Sequence, residues 1–450
     1  MGKFFTKRNA NIHRSYVFYI LVLFFLIFSS VPYANSAILT HGPVVGGVTD
    51  SKAKVFLKTD QIASVKIEYG TDSNLLNSLM TNTFQTSSTT DFTTFVKLTG
   101  LTPLATYYLN VYVNGVPQFS SPYPSFKTFP ATTTPQPFKF IILTDFHKQT
   151  KVTETVPTFL NASREEADFV FIGGDFDHSN ADTVRGKRRM FRQLYNPSSI
   201  GLYDFVNGIL HGMPIVHHWD DHDAGKNNID KTYPYWKQSY RVFKEYVPTY
   251  KLPSALFGVW QSFQYAHVDF FVLDGRSQRD PDMDPDDSNK SMLDGNNLGI
   301  NGQLEWLKQG LFSSTAKWKI IFSSVVTNPS TKPHDGWAAF QTEWKNLRNF
   351  IQDNHISGIV FISGDLHMGG IDNGVASGFP EVTLPGPNLI PPLGKDCATS
   401  FPGNWSEGIY FNSAGACNGY GVVTVLTNPD RLLLEVKDEN GNIRLSYVIY

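Results

Sequence analysis

The sequence predicts a mixed α/β protein in which a large α/β domain follows a small all-β domain. Short alternating runs, separated by Thr, Ser, Asn and Gly, occupy residues 38–130 and are typical of antiparallel strands. From Phe138 onward, runs rich in β-branched and aromatic residues alternate with helix-like stretches. With 450 residues, the chain is long enough to bury a sizeable core in each of two domains.

The composition shifts along the chain predict four segments. Residues 1–36 have basic residues before the apolar stretch 16–27 and small residues after it, which indicates a signal peptide cleaved near Ser36 or Ala37. An uncleaved membrane anchor is the alternative, but the apolar stretch is short for a full span. We therefore expect a secreted or extracytoplasmic protein, in the periplasm or at the cell surface, with no stable membrane span after cleavage.

The segment 37–130 is predicted to be a β-sandwich, and the Pro- and Thr-rich segment 131–137 a stiff linker to the α/β domain at 138–450. Residues 98–103, followed by Tyr107, resemble the tyrosine corner of fibronectin type III domains. No residue pattern in this first domain points to catalysis. We expect it to be a packing module that flanks the active domain.

The charge balance and the cysteine content limit which partners the protein can bind and which compartment it occupies. Lys and Arg total 38 and Asp and Glu total 40, while charged residues make up 17% of the chain against about 25% in soluble proteins. This balance argues against a surface that binds nucleic acid. The two cysteines, Cys397 and Cys417, are predicted to form a disulfide in an oxidising compartment, with two buried thiols as the alternative.

Four segments far apart in the chain place Asp and His residues directly after an apolar run. They end at His147, His178, Asp223 and His367. Such residues are unfavourable at the end of a buried strand unless they bind something. Because α/β sheets form their sites at the carboxyl ends of strands, we expect the four segments to meet in one site.

Longer stretches around these segments carry a family signature. The sequence contains WDDHD at 219–223, VLDGR at 272–276, GQLEWLKQGLFSSTAKWKII at 302–321 and SGDLH at 363–367. This motif set resembles the calcineurin-like metallophosphoesterases and, more closely, their PhoD-like (alkaline phosphatase D) family. The resemblance implies a four-layer α/β/β/α sandwich. It also implies hydrolysis of phosphate monoesters or diesters by a metal-activated hydroxide at a dinuclear site.

The resemblance also implies metal ligands, which are Asp145, His147, Asp175, His178, Asp221, Asp365 and His367. Asp175 would bridge two ions. Asp145, His147 and His367 would complete one site, and Asp221 and Asp365 would belong to the other. The imidazole-containing site would suit Fe, Zn or Mn, and the oxygen-rich site would suit Mn, Mg or Ca.

Further residues around the motifs are candidates for contacts with the substrate. His222 would protonate the leaving oxygen while Asp223 holds its ring, although a structural hydrogen-bonded His is the alternative. Arg276 could bind phosphate oxygens or the carboxylates of the site. Asn228 could bind substrate or cap the next helix.

The substrate class stays open between small-molecule and lipid phosphoesters. A phospholipase D-like extracellular phosphodiesterase would differ only in the walls of its pocket, which the sequence does not display. A secreted binding protein that keeps the fold without turnover is the competing class. It need not retain both a ligand set and the candidate acid His222, so hydrolysis is the prediction that we favour.

Overall fold

Three β-sheets organise the chain in a computed structural model that describes residues 1–2, 36–131, 134–146, 154–254, 258–388, 402–410 and 418–450. Residues Ile38–Tyr450 form one compact unit. Most of the predicted signal peptide, together with His147, Cys397 and Cys417, lies outside the described residues. None of the helices in the described ranges is long and apolar enough to cross a membrane.

The strands of the N-terminal region are β1 (Leu39–Gly46), β2 (Lys52–Thr59), β3 (Ser64–Gly70), β4 (Leu79–Met80), β5 (Phe84–Gln85), β6 (Thr93–Thr99), β7 (Thr106–Val113), β8 (Val116–Pro117) and β9 (Ser125–Lys127). The strands after them are β10 (Phe138–Leu143), β11 (Phe169–Gly173), β12 (Ile215–His218), β13 (Gln261–Tyr265), β14 (Val268–Val272), β15 (Trp318–Ser323), β16 (Ile359–Ser363), β17 (Gly369–Asn373), β18 (Pro380–Thr383), β19 (Ile409–Tyr410), β20 (Gly419–Leu426), β21 (Arg431–Asp438) and β22 (Ile443–Ile449).

The helices are α1 (Pro157–Ser163), α2 (Val184–Leu194), a π-helix (Asp204–Leu210), α3 (Asp221–Ala224), α4 (Trp236–Tyr246), α5 (Gln303–Ser313) and α6 (Gln341–Asp353). Short 3-10 turns occupy Ser88–Thr90, Ile200–Leu202, Gly299–Asn301 and Trp337–Ala339.

The N-terminal region of the described chain is all-β, as predicted, and its strands belong to two sheets. Strands β3, β4, β5, β7, β8 and β9 form a small separate sheet. Strands β1, β2 and β6 instead extend the large sheet, because β1 runs parallel to β12 with Gly46 opposite Ile215. A Cβ at Gly46 would clash with the carbonyl oxygen of Pro248, so the close approach of the chain here requires glycine.

The large sheet has the strand order β22-β21-β20-β10-β11-β12-β1-β2-β6. Its central strands β10, β11 and β12 are parallel to one another. Nearly all of their residues are buried, which explains why they are continuous apolar runs rather than alternating ones. Along these strands Ile141 and Val170 point to one face, and Phe140 and Phe169 to the other.

The second sheet has the order β13-β14-β15-β16-β18-β17-β19, with β14, β15, β16 and β18 parallel. Its inner face meets the large sheet through aromatic rings. Phe171 stacks on Phe322 with ring centroids 3.5 Å apart, and Phe140 contacts Phe270 edge-on at 5.6 Å. These large apolar rings leave water no room between the sheets, so they contribute strongly to the stability of the core.

Helices cover the two outer faces. Residues of α1, α2, the π-helix and α4 pack with Ile141, Val170 and other residues of the large sheet in one apolar cluster. Residues of α5 and α6 pack with Ile321 and Phe361 of the second sheet in another. The helix, sheet, sheet, helix order confirms the predicted four-layer sandwich. Because β10, β11, β12 and β16 all deliver their carboxyl ends to one edge, the four motif segments meet there.

Candidate metal centre

The backbone at the carboxyl ends of the strands has an unusual conformation. Asp145 after β10, Asp175 after β11, and Asp365 and His367 after β16 have φ angles of 58°, 48°, 65° and 55°. Left-handed backbone in non-glycine residues costs about 1–3 kcal/mol each and is concentrated at functional sites. Hydrogen bonds between the segments hold it: Asp365 N–H donates to Asp145 Oδ1 at 3.1 Å and Phe146 N–H to the carbonyl of Asp175 at 2.7 Å.

Asp175 lies at the middle of the site. Within the described residues, three groups could hold a metal ion, each with its ligand atoms within 4.8 Å of one another, and Asp175 belongs to all three. The groups are Asp175, His178 and His367; Asp175, Asp221 and His222; and Asp175, Asp220 and Asp365.

Three buried carboxylate oxygens near these groups indicate whether a metal ion would fit there. Oδ2 of Asp145, of Asp175 and of Asp365 accepts no hydrogen bond from the described residues. A buried, unsatisfied acceptor is costly, and a cation held by Asp175 and Asp365, which share a ligand group, would offset that cost; Asp145 is in none of the three groups. The donor set therefore fits a metal centre.

The carboxylates of the site also affect one another. Burial is the largest reason that the pKa of Asp145 is raised to about 7, and the charge of Asp220 acts in the same direction. Burial and the neighbouring carboxylates Asp221 and Asp220 raise the pKa of Asp175 well above its usual value. Negative charges this close in a buried space favour a multivalent cation among them.

Two imidazoles complete one side of the centre. The Nδ1 of His178 lies 2.8 Å from the carbonyl oxygen of Phe146, and its Nε2 lies 3.5 Å from Asp175 Oδ2. A ring that donates from Nδ1 to a carbonyl presents the lone pair of Nε2 to a metal. The Nε2 of His367 lies 3.5 Å from Asp145 Oδ1. Burial, together with the nearby His178, holds the pKa of His367 well below its usual value, so its ring is neutral and can act as a ligand.

The WDDHD segment begins α3, and its residues point in different directions. Asp223 was predicted to hold the ring of His222. Its carboxylate instead accepts the backbone N–H of Phe176 at 2.7 Å and of Asp220 at 2.8 Å, so that it fixes the start of the short helix. The His222 ring contacts the side chain of Asn180 through Nδ1. The prediction for Asp223 is therefore corrected to a structural role, and Asn180 takes the position beside the ring.

The backbone of the same segment supports the centre. His222 N–H lies 2.7 Å from Asp221 Oδ1 and 3.2 Å from Asp175 Oδ1. Asn228 N–H donates to Asp221 Oδ2 at 2.5 Å, while the Asn228 side chain accepts a hydrogen bond from Asn227 at 2.7 Å. Asn228 is exposed, so its contact with substrate stays a prediction.

Arg276 contacts the carboxylates of the site, which is the second of the two alternatives predicted for it. Its side chain is 0% exposed and binds Asp220 in a bidentate manner, with Nη2 2.9 Å from Asp220 Oδ2. Its Nη1 lies 2.6 Å from Asp335 Oδ1. The guanidinium therefore pairs with carboxylates of the site, which leaves the predicted substrate contact without support in the structure.

Sequence reasoning missed Asp220 and Lys332. Asp220 adjoins Asp221 in WDDHD, and only the direction of the backbone after β12 shows that both face the centre. Lys332 lies on the loop after β15, with Nζ 2.7 Å from Asp365 Oδ1 and 3.5 Å from Asp335 Oδ2. Although burial opposes its ionisation, Arg276, Arg279 and Lys332 hold the pKa of Asp335 well below its usual range. No motif around Lys332 signals this contact.

Comparison with known proteins identifies relatives of this chain. Residues 155–373 match the model of the PhoD-like phosphatases, and residues 36–132 match a domain of unknown function, DUF7800. Alkaline phosphatase D of Bacillus subtilis (strain 168) is 26% identical over 251 residues, which cover 46% of this chain and 42% of that protein. The chain thus spans less than half the length of this curated relative.

Solved structures share the fold. A structure of PhoD superposes with a TM-score of 0.69 at 18% identity, covering 94% of this chain and 91% of that one. The purple acid phosphatase PPD1 from seeds of yellow lupin (Lupinus luteus) gives a TM-score of 0.55 at 14% identity, covering 92% and 74%. The family model covers the three motif segments that end at His178, Asp223 and His367, while the segment that ends at His147 lies before the matched residues. The chain is therefore similar to the PhoD-like phosphatases over this region, and it shares their fold.

Proposed function

We propose that the protein is a metal-dependent hydrolase of phosphoric esters, acting on monoesters or diesters. The observation that carries this proposal is the position of Asp175, which three ligand groups share at the common edge of the two sheets. The match of residues 155–373 to the PhoD-like phosphatase model supports the same reaction class. The substrate would be a small-molecule or lipid phosphoester.

The proposed ligand division follows the two sides of Asp175. Asp145, His147, His178 and His367 would serve an imidazole-containing site suited to Fe, Zn or Mn, and Asp221 and Asp365 an oxygen-rich site suited to Mn, Mg or Ca. Asp220 joins the second set by its position. When bound, cations of this kind neutralise charge on phosphoryl oxygens and lower the pKa of water.

His222 is proposed as the general acid. The centroid of its ring lies 4.3 Å from that of His178, so it borders the ligand set. If Asn180 accepts the Nδ1 proton, Nε2 is left to face the reacting group. A protonated Nε2 could then donate to the leaving oxygen as the ester bond breaks.

The site of action is proposed to be outside the cytosol. The basic and apolar pattern of the first 36 residues supports export, and an exported protein would permit a disulfide between Cys397 and Cys417. Mass spectrometry of the secreted protein, with and without reduction, would reveal the cleavage site and the presence of the disulfide.

The experiment that tests the proposed activity combines metal analysis with two substrates. We expect the purified protein to contain metal and to hydrolyse p-nitrophenyl phosphate, bis(p-nitrophenyl) phosphate or both. Prolonged dialysis against a chelator should abolish the activity, and addition of Mn²⁺ or Ca²⁺ should restore it. A protein that binds no metal and cleaves neither substrate would be a binding protein on the same fold.

A further inference from the structure

The oxygen-rich side of the centre already contacts two cationic side chains. Arg276 occupies both oxygens of Asp220, and Lys332 Nζ lies 2.7 Å from Asp365 Oδ1. Asp220 and Asp365 form the all-carboxylate ligand group with Asp175. Two of the three carboxylates in this group are therefore paired with protein cations.

The imidazole side differs. In the described ranges, the ion pairs of Asp145 and Asp175 are with His367 and His178, and no Lys or Arg side chain is paired with either carboxylate. Their Oδ2 atoms accept no hydrogen bond there. A metal ion could thus bind at this side without displacing a paired Lys or Arg side chain, whereas at the other side it would compete with one.

The two cations are not equally fixed. Arg276 is 0% exposed and is held by Asp220 and Asp335 through geometrically matched pairs, so it cannot leave without breaking both. Lys332 is 24% exposed and carries its ammonium on a flexible four-carbon stem. Of the two cations, Lys332 is therefore the one with room to turn away from the centre, although it is paired with Asp335 and Asp365.

We infer that the Lys332 ammonium occupies the oxygen-rich half of the centre in competition with a metal ion. The protein then retains one tightly bound ion, on the imidazole side, and takes up a second only when Lys332 turns outward. This inference rests on the proposed metal-dependent function. It assigns Lys332 as the residue that sets how many ions the centre holds.

The physical basis is charge repulsion at short range. The ammonium lies 2.7 Å from Asp365 Oδ1, on the same carboxylate whose free Oδ2 would face a cation. Two positive charges on one carboxylate repel one another even at the effective dielectric of a protein site. The ion and the ammonium therefore compete for the charge of Asp365.

Titration of the chelator-stripped, full-length protein with Mn²⁺, followed by calorimetry, tests this inference. The wild-type protein should bind one equivalent tightly and a second more weakly by about tenfold or more. Lys332→Met should tighten the second equivalent by about tenfold or more, because it removes the competing charge. Lys332→Arg should keep the wild-type pattern. Lys437→Met is a matched control, since Lys437 Nζ also lies 2.7 Å from a carboxylate, Glu165, away from the centre.

The outcomes separate this inference from the proposed function. Loss of the first equivalent in every variant would overturn the proposed metal centre. If Lys332→Met binds the first equivalent of Mn²⁺ tightly but its affinity for the second equivalent is unchanged, only the role of Lys332 is overturned. The same holds if the wild-type protein binds both equivalents equally tightly. Circular dichroism reports whether the variants fold, and Lys332→Gln replaces Lys332→Met if the latter does not.

Discussion

The two sheets contribute different chemistry to their common edge. The loops after β10, β11 and β12 of the large sheet provide carboxylates and imidazoles, including Asp145, Asp175 and His222. The loops after β14 and β15 of the second sheet provide the cations Arg276 and Lys332. Asp365 and His367 lie after β16 of the second sheet. The large sheet therefore supplies most of the candidate metal ligands. The second sheet supplies the remaining ligands and also the cationic side chains that oppose a metal ion.

The largest effect should come from a change in the large sheet. We expect Asp175→Asn to lower turnover by at least about a thousandfold and to lower metal content as well, because one charge serves every ligand group. Inductively coupled plasma mass spectrometry and hydrolysis of p-nitrophenyl phosphate measure the two effects. Asp372→Asn, a buried carboxylate that accepts backbone N–H groups elsewhere, is the control. Full metal content with a normal rate would remove Asp175 from the centre.

A change in the second sheet should act mainly on stability. Arg276→Met leaves Asp220 buried without its paired cation and removes one of the three cations paired with Asp335, which should cost about 3–5 kcal/mol in the free energy of unfolding. Urea denaturation with chelator present measures this cost without the contribution of a metal. A loss below about 1 kcal/mol would show that the carboxylates find other partners.

The stability lost in Arg276→Met should depend on pH, and the direction of this dependence can be predicted. Arg276 and its neighbouring cations hold the pKa of Asp335 well below its usual value, so the pairing stabilises the fold above about pH 4 and is lost as the pH falls further. The difference in stability between wild type and Arg276→Met should therefore be largest near neutral pH and shrink in acid. A difference that is constant with pH would contradict the ionic origin of the effect.

A selective effect is expected at His222. His222→Asn should reduce the rate by about a hundredfold for alkyl phosphates, whose leaving groups need a proton, and much less for p-nitrophenyl phosphate. Metal content should be retained. Equal losses on both substrates would indicate that His222 binds phosphate or a metal instead, the latter being consistent with its place in one ligand group.

The smallest effect is expected at Asn180, which contacts the His222 ring. Asn180→Ala should lower the rate for alkyl phosphates by about tenfold, as removal of an orienting partner commonly does. In a His222→Asn background the same change should have little further effect, because the ring that it positions is gone. Additive losses in the double variant would show that Asn180 acts independently.

Local sequence pattern was enough to predict much of this structure. Apolar runs that end in Asp and His identified the strands of the site, and the strand and helix rhythm after Phe138 indicated the α/β layers. Both signals are short-range properties of the chain, namely the burial of a strand and the polarity of the residues directly after it. For this reason the α/β class and the meeting of the four segments could be anticipated, whereas the four-layer sandwich was implied by the resemblance to the metallophosphoesterases.

Pairings across the two sheets could not be predicted in the same way. Arg276 is paired with Asp220, which is 56 residues away in the sequence. Lys332 is paired with Asp365, which lies just after the neighbouring strand β16. Asp223 was misassigned because its direction depends on where α3 begins, which WDDHD alone does not reveal. The extension of the large sheet by β1 rests on a single register, Gly46 opposite Ile215, with no local signature.

That register makes the N-terminal strands part of the support for the centre. Strand β12 lies between β11 and β1, and the segment from Asp220 to Asp223 emerges from its end. Removal of residues before Phe138 would leave β12 as an open edge strand, with unpaired backbone groups that invite aggregation. A truncated protein that begins at the catalytic segment would thus lack the lateral cover of the strand that delivers the WDDHD residues.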